Sequence, residues 1–150
     1  MPDMQAPDQV VPRALGDYLD VMSKAAFQAG ISWKVVESKW PGTREAFHNF
    51  DIEAVASMSP PEIDELVVDT RVIRNRKKLE AVVSNAEKLI DLQAKHGSFQ
   101  TYLRSFPDFE TLVKNLRKEF NFLGNMGAYY FLHVIGEEVP SHEQWMRSGK

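Results

Sequence analysis

The stretch FNFLGNMGAYYF, residues 120–131, sets two glycines three apart between an aromatic pair and an aromatic-rich run. Glycine lacks a Cβ, so it serves where a chain turns sharply or where something approaches the backbone closely. The segment before it, Phe109 to Phe120, carries Leu112, Val113 and Leu116 at helical spacing, and Ala128 to Ile135 after it is apolar on most faces. The pattern reads as two helices joined by a glycine-containing hairpin, a helix-hairpin-helix. Amides near the start of the second helix can donate to a phosphate. A glycine cap followed by a tight helix contact explains the same spacing without any ligand, and on spacing alone that simpler reading leads.

Working outward, helical periods dominate. Leu15, Leu19, Met22 and Ala26 recur at spacings of three and four, as do Trp33, Val36 and Trp40, with Pro41-Gly42 expected to stop that helix. A short helix is expected to carry Ala46, Phe47 and Phe50, and Asp51 to cap the turn holding Ile52, Val55 and Ala56. Ser59-Pro-Pro-Glu62 has the form of a helix start. The longest helix is predicted from about Asn75 to Lys95, with Leu79, Val82, Val83, Ala86, Leu89 and Ile90 as its apolar stripe and Gly97 as its end. Ser98 begins a short helix with Phe99, Tyr102 and Leu103, and Pro140-Ser141 a last one. With no strand series and no internal repeat, the expected fold is all-α. It is a compact multi-helix domain over residues 13–150 with a helix-hairpin-helix element, behind a flexible arm of residues 1–12 carrying three prolines.

The composition narrows the function. The 150 residues are 43% hydrophobic, enough for a real core. Cysteine is absent, which excludes disulfides and thiolate-bound zinc and fits a reducing cytoplasm. His48, His96, His133 and His142 lack metal-ligand spacing, so neither metal nor cofactor is expected. No apolar run approaches the ~18 residues of a membrane span, and the N-terminus lacks the form of a signal peptide. Net charge is −3, so any nucleic-acid site must be a local patch.

Two stretches qualify besides the hairpin. RVIRNRKK, residues 71–78, holds five cations (Arg71, Arg74, Arg76, Lys77 and Lys78) in and before the first turn of the longest helix. Cations are disfavoured at that end of the helix dipole, which points modestly to phosphate contact rather than a merely solvated turn. In FQAGISW, residues 27–33, Gly30 breaks a helix, Ser32 can cap the next, Ile31 is placed to wedge between bases, and Trp33 to stack on one. Burial of Ile31 and Trp33 in the core is the alternative, and for a lone tryptophan it is the reading to favour. No nucleophile triad, P-loop or dinucleotide fingerprint is present.

Taken together, Phe27-Gln-Ala-Gly-Ile-Ser-Trp33, Ala46-Phe-His-Asn-Phe-Asp51, Val72-Ile-Arg-Asn-Arg-Lys-Lys-Leu79, Asn85-Ala86, Gly97-Ser98-Phe99 and Phe122-Leu-Gly124 resemble the 3-methyladenine DNA glycosylase I family of the helix-hairpin-helix glycosylase superfamily. The resemblance covers roughly residues 25 to 136. It implies hydrolysis of the N-glycosidic bond of a flipped, alkylated purine in damaged double-stranded DNA, by a monomeric cytoplasmic enzyme of base-excision repair. It implies base binding by Trp33 and Phe27. It implies DNA contact by Gly30 and Ile31 and by the hairpin from Leu123 and Gly124 through Asn125, Met126 and Gly127, to which the charge run adds Arg71, Arg74, Arg76 and Lys77. It names no catalytic acid or base: the family's base-reading glutamate falls at Ala25, and Pro140 lies near the slot of the superfamily's aspartate. Of the family's two-Cys, two-His zinc set, His142 is the one possible remnant. A DNA-binding relative without glycosylase activity, and a helical protein-interaction module, are the alternatives.

Overall fold

A computed structural model describes residues 9–141 and 143–145. Its helices run in the order α1 (Leu15–Gln28), α2 (Trp33–Ala46), α3 (Ile52–Ala56), α4 (Pro60–Val67), α5 (Arg76–His96), α6 (Phe99–Leu103), α7 (Phe109–Glu119) and α8 (Asn125–Val134). No strand occurs among the described residues, so the fold is all-α as expected. The 21-residue α5 is the central element, packing against α1, α3, α4 and α6. Leu79, Val82, Ala86, Leu89 and Leu92 form its buried stripe. Against it α1 buries Leu19, Met22, Ala26 and Phe27, and α8 closes the other side of α1 with Ala128, Phe131 and Leu132.

Local chemistry sets most boundaries. The Asp51 carboxylate accepts from the Glu53 and Ala54 amides at 3.1 and 3.2 Å and starts α3. Glu62 reaches back to the Ser59 amide at 3.1 Å with Pro60 and Pro61 in the first turn of α4. Asn75 caps α5, Ser98 caps α6 and Asp108 caps α7 through their side-chain oxygens. Gly97, at φ +89°, ends α5 in a conformation that other residues resist.

Three boundaries depart from the sequence pattern. Pro41-Gly42 does not stop α2, which continues to Ala46. Pro41 forfeits a helical hydrogen bond, but Val36, Trp40, Thr43 and Ala46 hold one face in the core, and Thr43 Oγ1 donates to the Lys39 carbonyl at 2.7 Å. Because α2 absorbs Ala46, no separate helix carries Ala46 to Phe50. Instead His48, Asn49 and Phe50 turn through φ values of 57°, 55° and 56°. That left-handed run brings Phe47 and Phe50 into the core and sets the Phe50 carbonyl against α1 at Gly16, where an added Cβ would lie 1.9 Å from the oxygen. Finally, α8 begins at Asn125 rather than Ala128, so Gly127 is helical. What approaches Gly127 is protein: an added Cβ would meet Leu123 Cδ1 at 3.4 Å and Ala25 Cβ of α1 at 4.0 Å.

Upstream of α1, the Val10 amide donates to the Val134 carbonyl at 2.7 Å and Gln9 Nε2 to the His133 carbonyl at 2.8 Å. At the other end Trp145 is buried against Phe109 and Tyr129, while Ser141 Oγ accepts from the Gln144 amide at 3.2 Å. His142 lies outside the described residues.

Candidate base pocket and nucleic-acid interface

The end of α1, the start of α2 and the α7–α8 hairpin converge on a cleft of about 250 Å³. Ala25, Gln28 and Ala29 line it from α1, Trp33 from α2, and Phe122, Gly124, Met126, Gly127 and Tyr130 from the hairpin and α8. The volume falls just below the ~300–1,000 Å³ of drug-sized pockets and suits one flat ring system. A wider groove of about 590 Å³ between α7 and the segment after α8 is edged by Arg104, Asp108, Glu137 and Glu138. Its Arg104 is committed to Glu137 at 3.1 Å.

Trp33 is 50% exposed, and its ring lies 5.0 Å from that of Tyr130, tilted by 60°. It stands at the mouth of the cleft, not in the core. Burial, with the nearby Glu37 carboxylate, pushes the Tyr130 hydroxyl up to about 12, so it is a neutral phenol at physiological pH, able to donate but not to act as a base. Burial likewise raises Tyr18, Tyr102 and Tyr129, so all four tyrosines of the chain are shifted upward. A phenol with a raised folded-state pKa stabilises the fold fully below its unfolded value and loses that contribution as pH climbs through the folded one. Melting temperature should therefore fall between pH 10 and about 12, and Tyr130→Phe should lessen that fall when melts are run across the range.

The turn between α1 and α2 has Gly30 at φ +83°, with open space where a Cβ would be, and Ile31 half-buried beside it. Ser32 sits at the cap position of α2 without a side-chain cap bond. Phe27 is not at the cleft: it is 1% exposed and packs edge-on against Trp40, 6.0 Å between ring centroids. Helical phase turns it to the core, which removes it as a base-contacting side chain. Leu123 is also core, at 3% exposure, and leaves only its backbone for the hairpin. Gln28 Nε2 is buried with no hydrogen-bond acceptor among the described residues.

The hairpin presents Gly124, the N-terminal cap residue of α8, and then Asn125, Met126 and Gly127, whose amides have no acceptor within the helix. Arg117, exposed in the last turn of α7, donates to Asn125 Oδ1 at 3.1 Å. That places a cation at the hairpin which the sequence reading missed. Its signal was a basic residue in the last turn before the glycine pair.

The basic turn is less cationic than its count. Arg71 pairs with Asp69 at 2.8 Å and lies 3.8 Å from Glu45, and Arg76 pairs with Asp64 at 2.6 Å and Glu80 at 3.5 Å. Lys78 is buried. Arg74 and Lys77 are exposed and make no ion pair among the described residues. Changing Arg74 and Lys77 together to Ala should lower the salt slope of duplex binding by about 1 for each phosphate left without its cation. Arg76→Ala alone should leave the slope nearly unchanged. Binding titrations at several salt concentrations check both outcomes.

The methyladenine glycosylase family model matches residues 18–123, from α1 into the hairpin. This chain belongs to that family. The DNA-3-methyladenine glycosylase of Haemophilus influenzae is 33% identical over 130 residues, covering 73% of this chain and 70% of the relative. DNA-3-methyladenine glycosylase 1 of Escherichia coli is 29% identical over the same shares of each chain. Among solved structures, 3-methyladenine DNA glycosylase I from Staphylococcus aureus superposes with a TM-score of 0.73 at 27% identity, over 85% of this chain and 79% of that one. A variant 3-methyladenine DNA glycosylase I in complex with 3-methyladenine gives 0.73 at 26% identity, over 87% and 80%. The family match thus spans the turn at Gly30 and Ile31, Trp33, the basic turn and the start of the hairpin.

Proposed function

We propose that this chain is a base-excision DNA glycosylase that hydrolyses the N-glycosidic bond of an alkylated purine such as 3-methyladenine. The observation that carries the reading is the half-exposed Trp33–Tyr130 pair at the mouth of a cleft in a chain of the methyladenine glycosylase family. A flipped base would enter the cleft and lie against Trp33, with Phe122 and Met126 shielding it from water. Ile31, on the turn opened by Gly30, would fill the space the base leaves in the duplex. The amides that open α8, together with Arg117, Arg74 and Lys77, would hold the phosphates on either side.

The chemistry asks little of acid–base groups. A base alkylated on a ring nitrogen carries positive charge and is already a good leaving group. The bond to the sugar breaks with its electron pair going to the base, which leaves neutral, and water adds to the sugar cation and releases its proton to solvent. Orientation of the base, exclusion of bulk water and the field of the bound phosphates would supply the acceleration. The Tyr130 phenol, held neutral, could donate to a ring acceptor of the bound base.

Two measurements test the reading. Purified protein should bind a duplex with a stable abasic-site analogue more tightly than the undamaged duplex, and should leave alkali-labile sites in methylated DNA. Preference for the analogue without alkali-labile sites would favour a DNA-binding relative lacking the activity. Equal, weak binding to both duplexes would remove the DNA reading altogether.

A further inference from the structure

We infer that Lys78 is a positioning residue that fixes the two turns bordering the base pocket relative to each other. Lys78 is 6% exposed, which is unusual for an ammonium group. Its Nζ donates to the Ala29 carbonyl at the end of α1, and stands 5.5 Å from the centroid of the Phe122 ring in the hairpin. Ala29 and Phe122 both line the cleft, from opposite sides of the chain's topology. One buried cation therefore links the turn that carries Gly30 and Ile31 to the turn that leads into α8.

Each end of that link needs what Lys78 supplies. α1 has no basic residue in its own last turn, and Lys78 of α5 brings a cation to the carbonyl at its end. Phe122 is a non-glycine residue at φ +60° and 42% exposed, a conformation that persists only when the surroundings impose it. A cation over its ring is one such constraint. The neighbouring residue is held from the same helix face: seven positions along α5, buried Asn85 accepts from the Asn121 amide at 2.9 Å and donates to the Asn121 carbonyl at 3.2 Å. Lys78 and Asn85 are two of the four buried polar side chains of the fold among the described residues, and both reach this hairpin. Burial also lowers the Lys78 pKa, a cost that a methionine of similar length would not carry. Packing alone thus gives no reason for a lysine here, whereas a donor that spans the two turns does.

The inference rests on the glycosylase reading but is tested apart from catalysis. Lys78→Met keeps the stem and removes the donor; Lys78→Arg keeps a donor and a cation. Affinity is measured for a duplex with a tetrahydrofuran abasic analogue and for the same duplex undamaged, alongside thermal melts. The expected result is that Lys78→Met loses about tenfold in preference for the analogue, in the range that small misplacements of a site cost. Its melting temperature should hold, its affinity for undamaged duplex should change less than about twofold, and Lys78→Arg should recover most of the preference. Full preference in Lys78→Met would overturn the inference and leave the glycosylase reading intact. Equal losses on both duplexes with a lowered melting temperature, unrescued by Lys78→Arg, would overturn it in favour of a purely structural lysine. A wild-type protein with no preference would remove the glycosylase reading and this inference with it.

Discussion

Trp33→Ala should lower the affinity for a flipped base, and the rate of base release, while leaving the fold nearly as stable as before. Base–aromatic stacking is worth roughly 1–3 kcal/mol, so the loss should be about fivefold to somewhat over a hundredfold. Binding to undamaged duplex should fall much less, because no base then occupies the cleft. The stability side follows from exposure. Burial of a tryptophan in a core makes its truncation cost roughly 3–5 kcal/mol, but Trp33 is 50% exposed and rests mainly on Tyr130. Its removal opens the cleft to water rather than leaving a sealed cavity. A melt and two binding curves on one purified variant decide the matter. A large drop in melting temperature, with equal losses on both duplexes, would take Trp33 out of the site.

The opposite profile is expected at Gly16. A Cβ there would stand 1.9 Å from the Phe50 carbonyl oxygen and 3.1 Å from its carbon, both backbone atoms. Backbone cannot rotate away as a side-chain tip does, so α1 must shift or the turn at His48–Phe50 must reopen. That turn already holds three consecutive non-glycine residues at positive φ, each of which resists the left-handed region by roughly 1–2 kcal/mol. It persists because Phe47 and Phe50 are anchored in the core, stacked 5.9 Å apart. Gly16→Ala should therefore cost about 3 kcal/mol, at the upper end for overpacking. In a chain of 150 residues that lowers the melting temperature by about 10 °C. The preference for abasic over undamaged duplex, measured well below the melt, should stay at the wild-type value. A variant that melts with the wild type would show that the close approach of α1 to Phe50 is not obligatory.

These two positions also show what could be read from the chain alone. Helices announced themselves because their ends are chemically marked: Asp51, Ser59, Asn75 and Ser98 start helices, and Gly97 ends one. The apolar stripes of α5 and α7 have the spacing of one buried face. Gly16 and the left-handed turn were not legible. Nothing in a local window says that Phe50 will lie across α1, and the tertiary packing of Trp40, Thr43 and Ala46 overrode the usual meaning of Pro41-Gly42. The cleft divides the same way. Trp33, Gly30, Ile31 and the Gly124–Gly127 run could be singled out because they interrupt helical patterns. Tyr130 and Gln28 could not, since each sits within a regular helix and becomes a wall only when α1, α2 and α8 meet. Phe27 failed for a matter of phase: six residues from Trp33 in one motif, it points to the core. The basic turn was legible as a charge run but not in its partners: Arg71 and Arg76 pair with Asp69, Asp64 and Glu80, which a count of cations does not show.

At Gly127 the neighbours on the Cβ side are protein. A Cβ there would meet Leu123 Cδ1 and Ala25 Cβ at ordinary contact distance. Gly127 thus packs on protein and, like Ala25, also lines the cleft. Gly124, with open space around its own Cβ position, is the hairpin glycine still exposed for a backbone contact with phosphate.

In the proposed function this cleft takes a damaged base and the protein cuts it free. The direct test is to incubate purified protein in excess with duplex DNA bearing 3-methyladenine and to quantify free 3-methyladenine against a no-protein control, for the wild type and Trp33→Ala. Release by the wild type should run well above spontaneous depurination, and release by the variant should be about fivefold or more slower. Release by the wild type no faster than the control, from protein that still binds the abasic analogue selectively, would contradict the proposed function.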